Sequence, residues 1–305
     1  MKEAKNVIYY LRHNPKQLLV GILLILAPII PDRLYLKLLF RAKMGYKLNL
    51  DNPQTFSEKL QWLKLYNRKP EHTRMVDKFE AKKYVAEIIG QEYIVPTLGF
   101  WDSVDDIDFD ALPNQFVLKT THGGGNTGVV ICRDKSSLDI TKAKAKLKKS
   151  FSKCIYRQFR EWPYKNVKRR IIAETLIGNG QMNDYKFFCF DGDVKLCQVI
   201  SGRDSTMSID FYDKEWAHQP FHEPKQYPFS VHEITKPKLY DKMWNIAHSL
   251  CLGHCFIRVD FYEVNDHIYF GELTFFPTSG MGGFAPKEWD YTLGKWIKLP
   301  IKKHE

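Results

Sequence analysis

The chain has 305 residues, 44% of them hydrophobic and 14% aromatic, which excludes an intrinsically disordered protein. Its formal net charge of +11 favours an anionic partner: nucleic acid, an acidic lipid surface, a nucleotide or an acidic glycan. The six cysteines form no C-x-x-C pair, so a zinc site built from cysteine pairs is not indicated. No signal-peptide cleavage site is recognisable, and we expect free thiols in a cytoplasmic, reducing compartment.

Residues 1–50 are predicted to form a basic and apolar leader. Its 13 consecutive apolar residues, 18–30, are fewer than the roughly 20 that a membrane-spanning helix needs. Arg33, Lys37 and Arg41 lie four apart, so they share one side of a predicted helix. Further basic residues flank the apolar run: Lys2, Lys5, Arg12, Lys16, Lys43 and Lys47. The segment is either an anchor on an anionic membrane surface or a core helix followed by a solvated helix, and the sequence leaves both open.

The rest of the chain divides into a helical region, 51–98, and a mixed body, 99–305. In the first region a helical face at Phe56, Leu60 and Leu63 precedes a second helix that ends at Gly90. The body begins with two β-prone runs around a glycine-rich loop, followed by a lysine-rich helix over 139–154. Further strands are predicted over 170–177, 185–190, 194–201, 209–212, 256–262 and 267–276, with a helix over 237–252. This order predicts an α+β fold with a helical N-terminal arm.

The glycine-rich loop has the sequence KTTHGGGNTG, residues 119–128. Glycines let backbone N–H groups approach phosphate oxygens closely. A P-loop or a Rossmann fingerprint would be followed by a helix, whereas the β-prone run VVIC follows here. A protein kinase would carry H-R-D and D-F-G, which the sequence lacks. The pattern therefore predicts a phosphate-binding hairpin that begins at Lys119, and an ordinary flexible hairpin is the alternative.

A second candidate site lies in a hairpin near the C-terminus. Strand alternation places Arg258 and Asp260 on one face of its first strand, and Glu272 and Thr274 on one face of its second. With a three-residue loop, Asp260 would lie directly opposite Glu272. Two facing carboxylates repel unless a positive charge lies between them. Mg²⁺ bound through carboxylates and nucleotide phosphates would supply that charge, and an ion pair with Arg258 is the alternative.

The sequence DGD, residues 191–193, matches the D-x-D pattern with which glycosyltransferases hold a metal-bound nucleotide sugar. It lies between Phe190 and Val194, where Asp-Gly is typical of a two-residue hairpin turn. We therefore predict a turn there.

A lysine-rich helical face carries Lys142, Lys146, Lys149 and Lys153. A solvated face is the favoured interpretation, and contact with an anionic acceptor or a membrane is the alternative. No nucleic-acid-binding motif accompanies these charges, so nucleic acid is not expected as a partner.

The motifs occur in an order that resembles a known family. The motifs are DK at 77–78, FVLKTTHGGGNTG at 116–128, IIAE at 171–174, DYKFFCFDG at 184–192, RVDFY at 258–262 and FGELTFFPTSG at 270–280. Together they are similar to the TupA-like ATP-grasp family of bacterial surface-polysaccharide loci, whose members are often labelled glycosyltransferases. The resemblance extends from about residue 49 to residue 286. It implies an ATP-grasp fold, in which two α+β subdomains grip ATP.

The resemblance also implies roles for individual residues in nucleotide binding. Lys78 and Lys119 would contact phosphate and adenine, and Glu174 would hold adenine or ribose with Leu176 against the ring. The mobile loop over the phosphates would run from Thr121 to Thr127 and include Gly123, Gly124, Gly125 and Asn126.

At the reacting end, the resemblance implies that Lys186 faces the phosphates and that Arg258 steadies the transferred phosphoryl group. Asp260 and Glu272 would hold Mg²⁺. Thr274 stands where many ATP-grasp enzymes place a metal-ligating Asn, so a weaker hydroxyl ligand is expected there.

The implied activity is an ATP-dependent carboxylate–amine ligase that acts through an acyl phosphate. Its substrates would be a uronic-acid or amino-acid carboxylate of a capsular or lipid-linked glycan, and an amine or amino acid. The expected location is the cytoplasm, with peripheral attachment to the inner face of the cell membrane if the leader is a surface anchor. A glycosyltransferase using Asp191 and Asp193 is the first alternative, and a membrane-associated binding module without turnover is the second.

Overall fold

A computed structural model describes residues 15–178, 182–203, 206–223 and 227–301 of the chain. Its N-terminal part is helical, as predicted. The helices are α1 (Pro15–Leu26), α2 (Asp32–Met44), α3 (Phe56–Tyr66), α4 (Glu71–Val76) and α5 (Glu80–Ile89). A capping box starts α3: the Thr55 side chain accepts from the Glu58 N–H, and the Glu58 side chain accepts from the Thr55 N–H. Buried side chains of these helices join the core of the larger sheet described below.

The smaller sheet has four antiparallel strands. They are β1 (Thr97–Trp101), β2 (Phe116–Thr120), β3 (Val129–Cys132) and β4 (Ile171–Thr175), in the order β1-β4-β2-β3. The helix α6 (Ile140–Phe151) contributes Ala143 and Leu147 to the core of this sheet. Pairing of Lys119 with Val129 confirms that the glycine-rich loop connects two strands of a hairpin. The sequence analysis did not predict β1, an edge strand whose residues are half-buried or exposed and therefore lack a buried apolar pattern.

The larger sheet has five antiparallel strands and forms the centre of the molecule. They are β5 (Asp184–Phe190), β6 (Asp193–Ser201), β7 (Ser208–Tyr212), β8 (Phe256–Val264) and β9 (His267–Thr274), in the order β7-β6-β5-β8-β9. The remaining helices are α7 (Ile155–Phe159), α8 (Tyr240–Cys251) and α9 (Glu288–Trp296). The predicted strands begin and end within two residues of the observed strands in both sheets, because alternation and turn residues are local signals.

The hairpin of β8 and β9 pairs Asp260 with Glu272, as the sequence predicted, but through a different geometry. Its turn has two residues, Asn265 and Asp266, both with positive φ, so it is one residue shorter than the loop for which the facing pair was expected. The register shifts between Asp260 and the next residue, where Gly271 is the extra residue of a β-bulge. A Cβ on Gly271 would lie 3.1 Å from the carbonyl oxygen of Asp260, so a residue without a side chain suits this position.

The described part of the leader, residues 15–50, contributes side chains to the core. Leu23 and Ala27 of the α1 region are buried, as are Tyr35, Leu36 and Leu39 of α2. Among the helices in the described residues, none has both the length and the apolar character needed to cross a membrane. Lys2, Lys5 and Arg12, on which the anchor hypothesis also drew, lie outside the described residues.

Candidate active site

A cavity of about 580 Å³ lies between the two sheets. Eight of the residues singled out from the sequence line it: Lys78, Lys119, Gly125, Glu174, Leu176, Lys186, Asp260 and Glu272. Ile94, Leu176 and Phe270 give one part of the wall an apolar character. The cavity therefore has the mixed lining, apolar surface with a few charged groups, that is typical of a small-molecule site.

On the side of the smaller sheet, one buried carboxylate is held by two lysines. Glu174 accepts from Lys119 Nζ at 2.6 Å and from Lys82 Nζ at 2.5 Å. Burial alone would raise the pKa of Glu174, but the two ammonium groups outweigh it and the pKa is lowered. Lys82 also donates to the Val95 carbonyl at 2.7 Å and to Thr97 Oγ1 at 2.9 Å. Glu174 and Lys82 thus join α5, the start of β1 and the end of β4.

Lys82 was not singled out from the sequence. Burial lowers the pKa of Lys82, and Glu174 opposes that effect. Lys82 lies in α5, whereas Lys78 precedes that helix, so no helical spacing in the sequence connects the two lysines.

On the side of the larger sheet, three basic side chains surround the carboxylates of Asp260 and Glu272, and Arg258 binds both carboxylates. Arg258 donates to both oxygens of Asp260, at 2.6 and 2.7 Å, and to Glu272 Oε1 at 3.0 Å. Lys186, which pairs with Asp260 across β5 and β8, donates to Asp260 Oδ2. Lys78 Nζ lies 3.2 Å from Glu272 Oε2.

These ion pairs change the argument for a metal. Repulsion between Asp260 and Glu272 is relieved by Arg258, Lys186 and Lys78, so repulsion alone does not require a cation. Burial would raise the pKa of Glu272, but Lys78, Arg258 and Lys186 hold it below its ordinary value. The ion pair with Arg258, given above as the alternative to a metal, is therefore present in the structure.

The two carboxylates still fit an Mg²⁺ ion that takes most of its ligands from the nucleotide and from water. No cluster of three or more His, Cys, Asp or Glu side chains suited to a metal occurs in the part of the chain that the structure describes. Two facing carboxylates, Asp260 and Glu272, suit an Mg²⁺ ion whose remaining ligands are phosphate oxygens and water. Thr274 Oγ1 is engaged in the ion-pair network: it donates to Glu272 Oε1 at 3.1 Å and accepts from Arg258 at 3.2 Å. The metal roles of all three residues remain predictions.

The glycine-rich loop has a fixed base. Thr121 is fully buried; its hydroxyl donates to the Lys168 carbonyl at 3.0 Å and accepts from the Arg170 N–H at 3.1 Å. A Cβ on Gly128 would lie 2.3 Å from the hydroxyl oxygens of Thr120 and Ser150, so a larger residue would displace this base. The buried environment of Thr121 indicates a structural role in this conformation, and its predicted contact with phosphate remains a prediction.

The tip of the loop is different from its base. Gly125 lines the cavity and has a φ of +61°, a conformation that favours glycine. Gly123 and Gly124 precede a short 3₁₀ turn, Gly125–Gly128, in which Thr127 Oγ1 donates to the Gly124 carbonyl at 3.4 Å. The side chain of Asn126 lies outside the described part of the chain.

Strand β5 carries another charged residue that the sequence analysis missed. Asp184 lines the cavity, accepts from Arg203 Nε at 2.5 Å and lies 3.6 Å from Lys186 Nζ. Because Asp184 and Lys186 are two residues apart on one strand, alternation puts them on one face. That spacing could have identified Asp184.

The D-x-D sequence forms the predicted turn. Phe190 pairs with Asp193, and Asp191 and Gly192 have φ values of 51° and 80°. Asp191 contacts Lys298 at 2.5 Å and Asp193 contacts Lys195 at 2.6 Å. Neither aspartate is among the described residues that line the cavity.

The profile of the family described as TupA-like ATPgrasp matches residues 58–298. The chain belongs to the TupA-like ATP-grasp family. The family match and the two antiparallel sheets agree with the predicted α+β ATP-grasp fold. No sequence among the curated proteins matches the chain.

Solved structures of other ATP-grasp proteins are distant likenesses. A D-alanine–D-alanine ligase from Helicobacter pylori is 14% identical with a TM-score of 0.42, over 81% of this chain and 70% of the ligase. A biotin carboxylase from Campylobacter jejuni, solved as a β,γ-ATP complex, is 14% identical with a TM-score of 0.45, over 75% of this chain and 48% of the carboxylase. A D-alanine–D-alanine ligase from Bacillus anthracis, complexed with ATP, is 16% identical with a TM-score of 0.38, over 66% of this chain and 53% of the ligase. The chain spans about half the length of the last two.

Proposed function

We propose that this protein is an ATP-dependent ligase that joins a carboxylate to an amine through an acyl phosphate. The observation that carries the proposal is a cavity between the sheets that is lined by three lysines, Lys78, Lys119 and Lys186, and by the paired carboxylates Asp260 and Glu272. Lysines attract phosphate, and the carboxylates suit Mg²⁺, so one cavity holds what Mg-ATP requires.

The nucleotide would lie across the cavity. Its adenine ring suits the apolar wall at Ile94, Leu176 and Phe270, and Glu174 lies at the same end. The phosphates would compete with Asp260 and Glu272 for their basic partners. As those partners turn to phosphate, the carboxylates become free to hold Mg²⁺, which would neutralise phosphate charge when bound.

The chemistry has two steps. A carboxylate oxygen of the first substrate attacks the γ-phosphorus of ATP, the bond to the β-phosphate oxygen breaks, and ADP leaves. The amine of the second substrate then attacks the acyl carbon, phosphate leaves with the bonding electron pair, and the nitrogen loses a proton. Arg258 and Lys186, which both bind Asp260, would stabilise the phosphoryl group by their positive charge during transfer.

We further propose that the carboxylate belongs to a uronic acid or amino acid destined for a surface polysaccharide or a lipid-linked saccharide. Membership of a family associated with such loci supports this proposal, as does the basic rim of the cavity, where Lys146 and Arg133 lie. The amine would come from an amino acid or a similar co-substrate. A nucleotide-sugar reaction at Asp191 and Asp193 gains no support, because both lie in a turn away from the cavity.

Hydroxylamine trapping tests the proposal directly. The full chain is incubated with Mg-ATP, hydroxylamine and individual uronic acids or amino acids, and both hydroxamate and ADP are measured. We expect one carboxylate class to yield hydroxamate and ADP in equal amounts, because hydroxylamine replaces the natural amine. Consumption of a nucleotide sugar without any ADP release would contradict the proposal and favour a glycosyltransferase.

A further inference from the structure

The helical hairpin of α1 and α2 has a buried apolar face and an exposed one. Leu23 and Ala27 are 4% and 1% exposed, whereas Ile25 and Ile29 are 78% and 76% exposed. Of the 17 large hydrophobic residues exposed in the described part of the chain, seven fall within residues 19–38. These seven, which we call the arm face, are Leu19, Ile22, Ile25, Leu26, Ile29, Leu34 and Leu38. An aliphatic cluster of this kind on a protein surface marks an interaction site.

The charges next to the arm face are basic. On α2, Leu34, Lys37, Leu38 and Arg41 have the spacing of residues that share one side of a helix. Residues 15–50 contain six basic residues and one acidic residue, Asp32. Asp32 is directed to internal partners, Arg68 and Arg160, each at 2.7 Å.

The hairpin is bound firmly to the catalytic body. Arg160, a buried residue that follows α7, donates to the Ala27 carbonyl at 2.5 Å and to the Ile30 carbonyl at 3.1 Å. Its guanidinium group lies 4.1 Å from the ring centroid of Tyr35. The Tyr35 hydroxyl donates to the Gln158 carbonyl at 2.8 Å.

The same segment contacts the end of the catalytic sheet. Glu161, the residue after Arg160, accepts from Ser279 Oγ at 2.5 Å, in the turn that follows β9. Arg160 binds the helical hairpin and Glu161 binds the turn after β9, the strand that carries Glu272. These two adjacent residues therefore connect the helical hairpin to the proposed metal site. The arm face is therefore part of a body that includes the active site and is not a detachable tether.

We propose that the arm face docks on the surface of an anionic membrane, with its aliphatic side chains in the boundary between head groups and acyl chains. Lys37 and Arg41 would lie at the level of the anionic head groups. This proposal deepens the proposed function and rests on it only for the acceptor: a docked enzyme meets a lipid-linked saccharide at the membrane.

A membrane fits this surface better than a second copy of the chain does. The arm face consists of leucine and isoleucine, with none of the aromatic anchors that are enriched at protein interfaces. In a symmetric dimer through this face, Lys37 and Arg41 of both copies would be brought together, and like charges repel. An anionic lipid surface complements both the apolar and the basic parts.

Vesicle binding of the full chain tests the proposal. Phosphatidylcholine vesicles with and without phosphatidylglycerol are sedimented with the protein, and bound protein is measured at low and high salt. We expect binding to the vesicles with phosphatidylglycerol, weakened at least about tenfold in Ile25→Glu/Ile29→Glu and several-fold in Lys37→Gln/Arg41→Gln. Val231→Glu, at an apolar position that is 88% exposed outside the arm, is the matched control and should bind as the wild type does.

The outcomes separate docking from catalysis. Failure of the full chain to bind phosphatidylglycerol vesicles, or equal binding by Ile25→Glu/Ile29→Glu, would overturn the docking proposal. A dimer in light scattering that this variant converts to a monomer, without vesicle binding by the wild type, would assign the arm face to a second copy. ADP release with a soluble carboxylate is measured in parallel: normal release without vesicle binding rejects docking alone, and vesicle binding without release for any carboxylate rejects the ligase alone.

Discussion

The two sheets hold their carboxylates in different ways. In the smaller sheet a single carboxylate, Glu174, serves Lys82 and Lys119, and Lys82 also binds the backbone at Val95. In the larger sheet two carboxylates, Asp260 and Glu272, both accept from Arg258, and each has a lysine of its own: Lys186 for Asp260 and Lys78 for Glu272. The Glu174 cluster joins three elements of the fold. In the cluster of Asp260 and Glu272, the phosphates of a nucleotide could replace the carboxylates as partners of the basic side chains.

The difference predicts different consequences of mutation. Removing the charge of Glu174 leaves two lysines near each other with no substitute anion in the free protein. Removing the charge of Asp260 disturbs ion pairs too, but its main effect should fall on turnover. Stability and activity measured on the same variants can therefore separate a structural cluster from a catalytic one.

The largest effect is expected at Glu174. Glu174→Gln should lower the free energy of unfolding by about 3–5 kcal/mol, since it leaves Lys82 and Lys119 without their buried counter-charge. Urea unfolding measures the change. The added substitution Lys82→Met should restore part of the loss, because one unpaired ammonium group is removed. Unchanged unfolding of Glu174→Gln would show that the cluster does not stabilise the fold.

The next effect concerns Asp260. Asp260→Asn should lower Mg²⁺-dependent ADP release about 100-fold or more, as loss of charge stabilisation at phosphoryl groups does. It should also lower the melting temperature, because Arg258 and Lys186 lose a partner. Asp290→Asn is the control: Asp290 is a buried carboxylate that accepts from the Ser57 hydroxyl at 3.0 Å and lies outside the cavity lining. A lower melting temperature with normal Mg²⁺ dependence would make Asp260 purely structural.

A smaller effect is expected at Lys119. Lys119→Ala should weaken binding of a non-hydrolysable ATP analogue by about 1.5–3 kcal/mol, because a charged hydrogen-bond donor to phosphate is removed. Calorimetry measures the affinity, and Lys146→Ala, at an exposed position of the cavity rim, should change it less. Equal affinities of wild type and Lys119→Ala, with equal melting curves, would exclude Lys119 from the nucleotide site.

The part of the site that could be predicted from the sequence consists of residues that lie close together along the chain. Strand alternation and a short turn brought Asp260 and Glu272 together, and the bulge at Gly271 allows this pairing with a two-residue turn in place of a three-residue loop. The placement of Thr121 was not predictable in the same way. Its partners Lys168 and Arg170 lie 47 and 49 residues further along the chain, so only the pairing of β2 with β4 brings them near.

Lys82 illustrates the same limit. From the sequence, Lys82 is a lysine in a predicted helix, and such a lysine is usually exposed to solvent. Its contacts with Val95 and Glu174 arise because α5 packs beside the end of β4, and no periodicity in the chain reports that packing.

A pH effect on stability is predicted at two buried histidines. Burial lowers the pKa of His72 to about 3 and that of His254 to about 4, and their rings lie 5.6 Å apart beside Phe275. Both are neutral in the folded protein and take up protons on unfolding below about pH 6.5. Stability is therefore fully present above pH 6.5 and lost as the pH falls towards 4, by about 1.4 kcal/mol per pH unit for each histidine.

Urea unfolding at several pH values between 7 and 4 measures this slope. His72→Gln should reduce it, since glutamine does not titrate, and His232→Gln is the control at an exposed histidine. An identical slope in His72→Gln and in the wild type would assign the acid sensitivity to other groups.

The smallest effect is expected at the D-x-D turn, and it decides between the ligase and the glycosyltransferase. Asp191→Asn/Asp193→Asn removes two surface ion pairs, with Lys298 and Lys195, and exposed pairs contribute at most about 1 kcal/mol each. Asn tolerates the positive φ of Asp191, so the turn should be retained. We expect ADP release, nucleotide affinity and melting temperature close to those of the wild type. Loss of turnover with a nucleotide sugar in this variant, while the fold remains intact, would instead place the reaction at the turn, because a metal-bound nucleotide sugar needs both carboxylates.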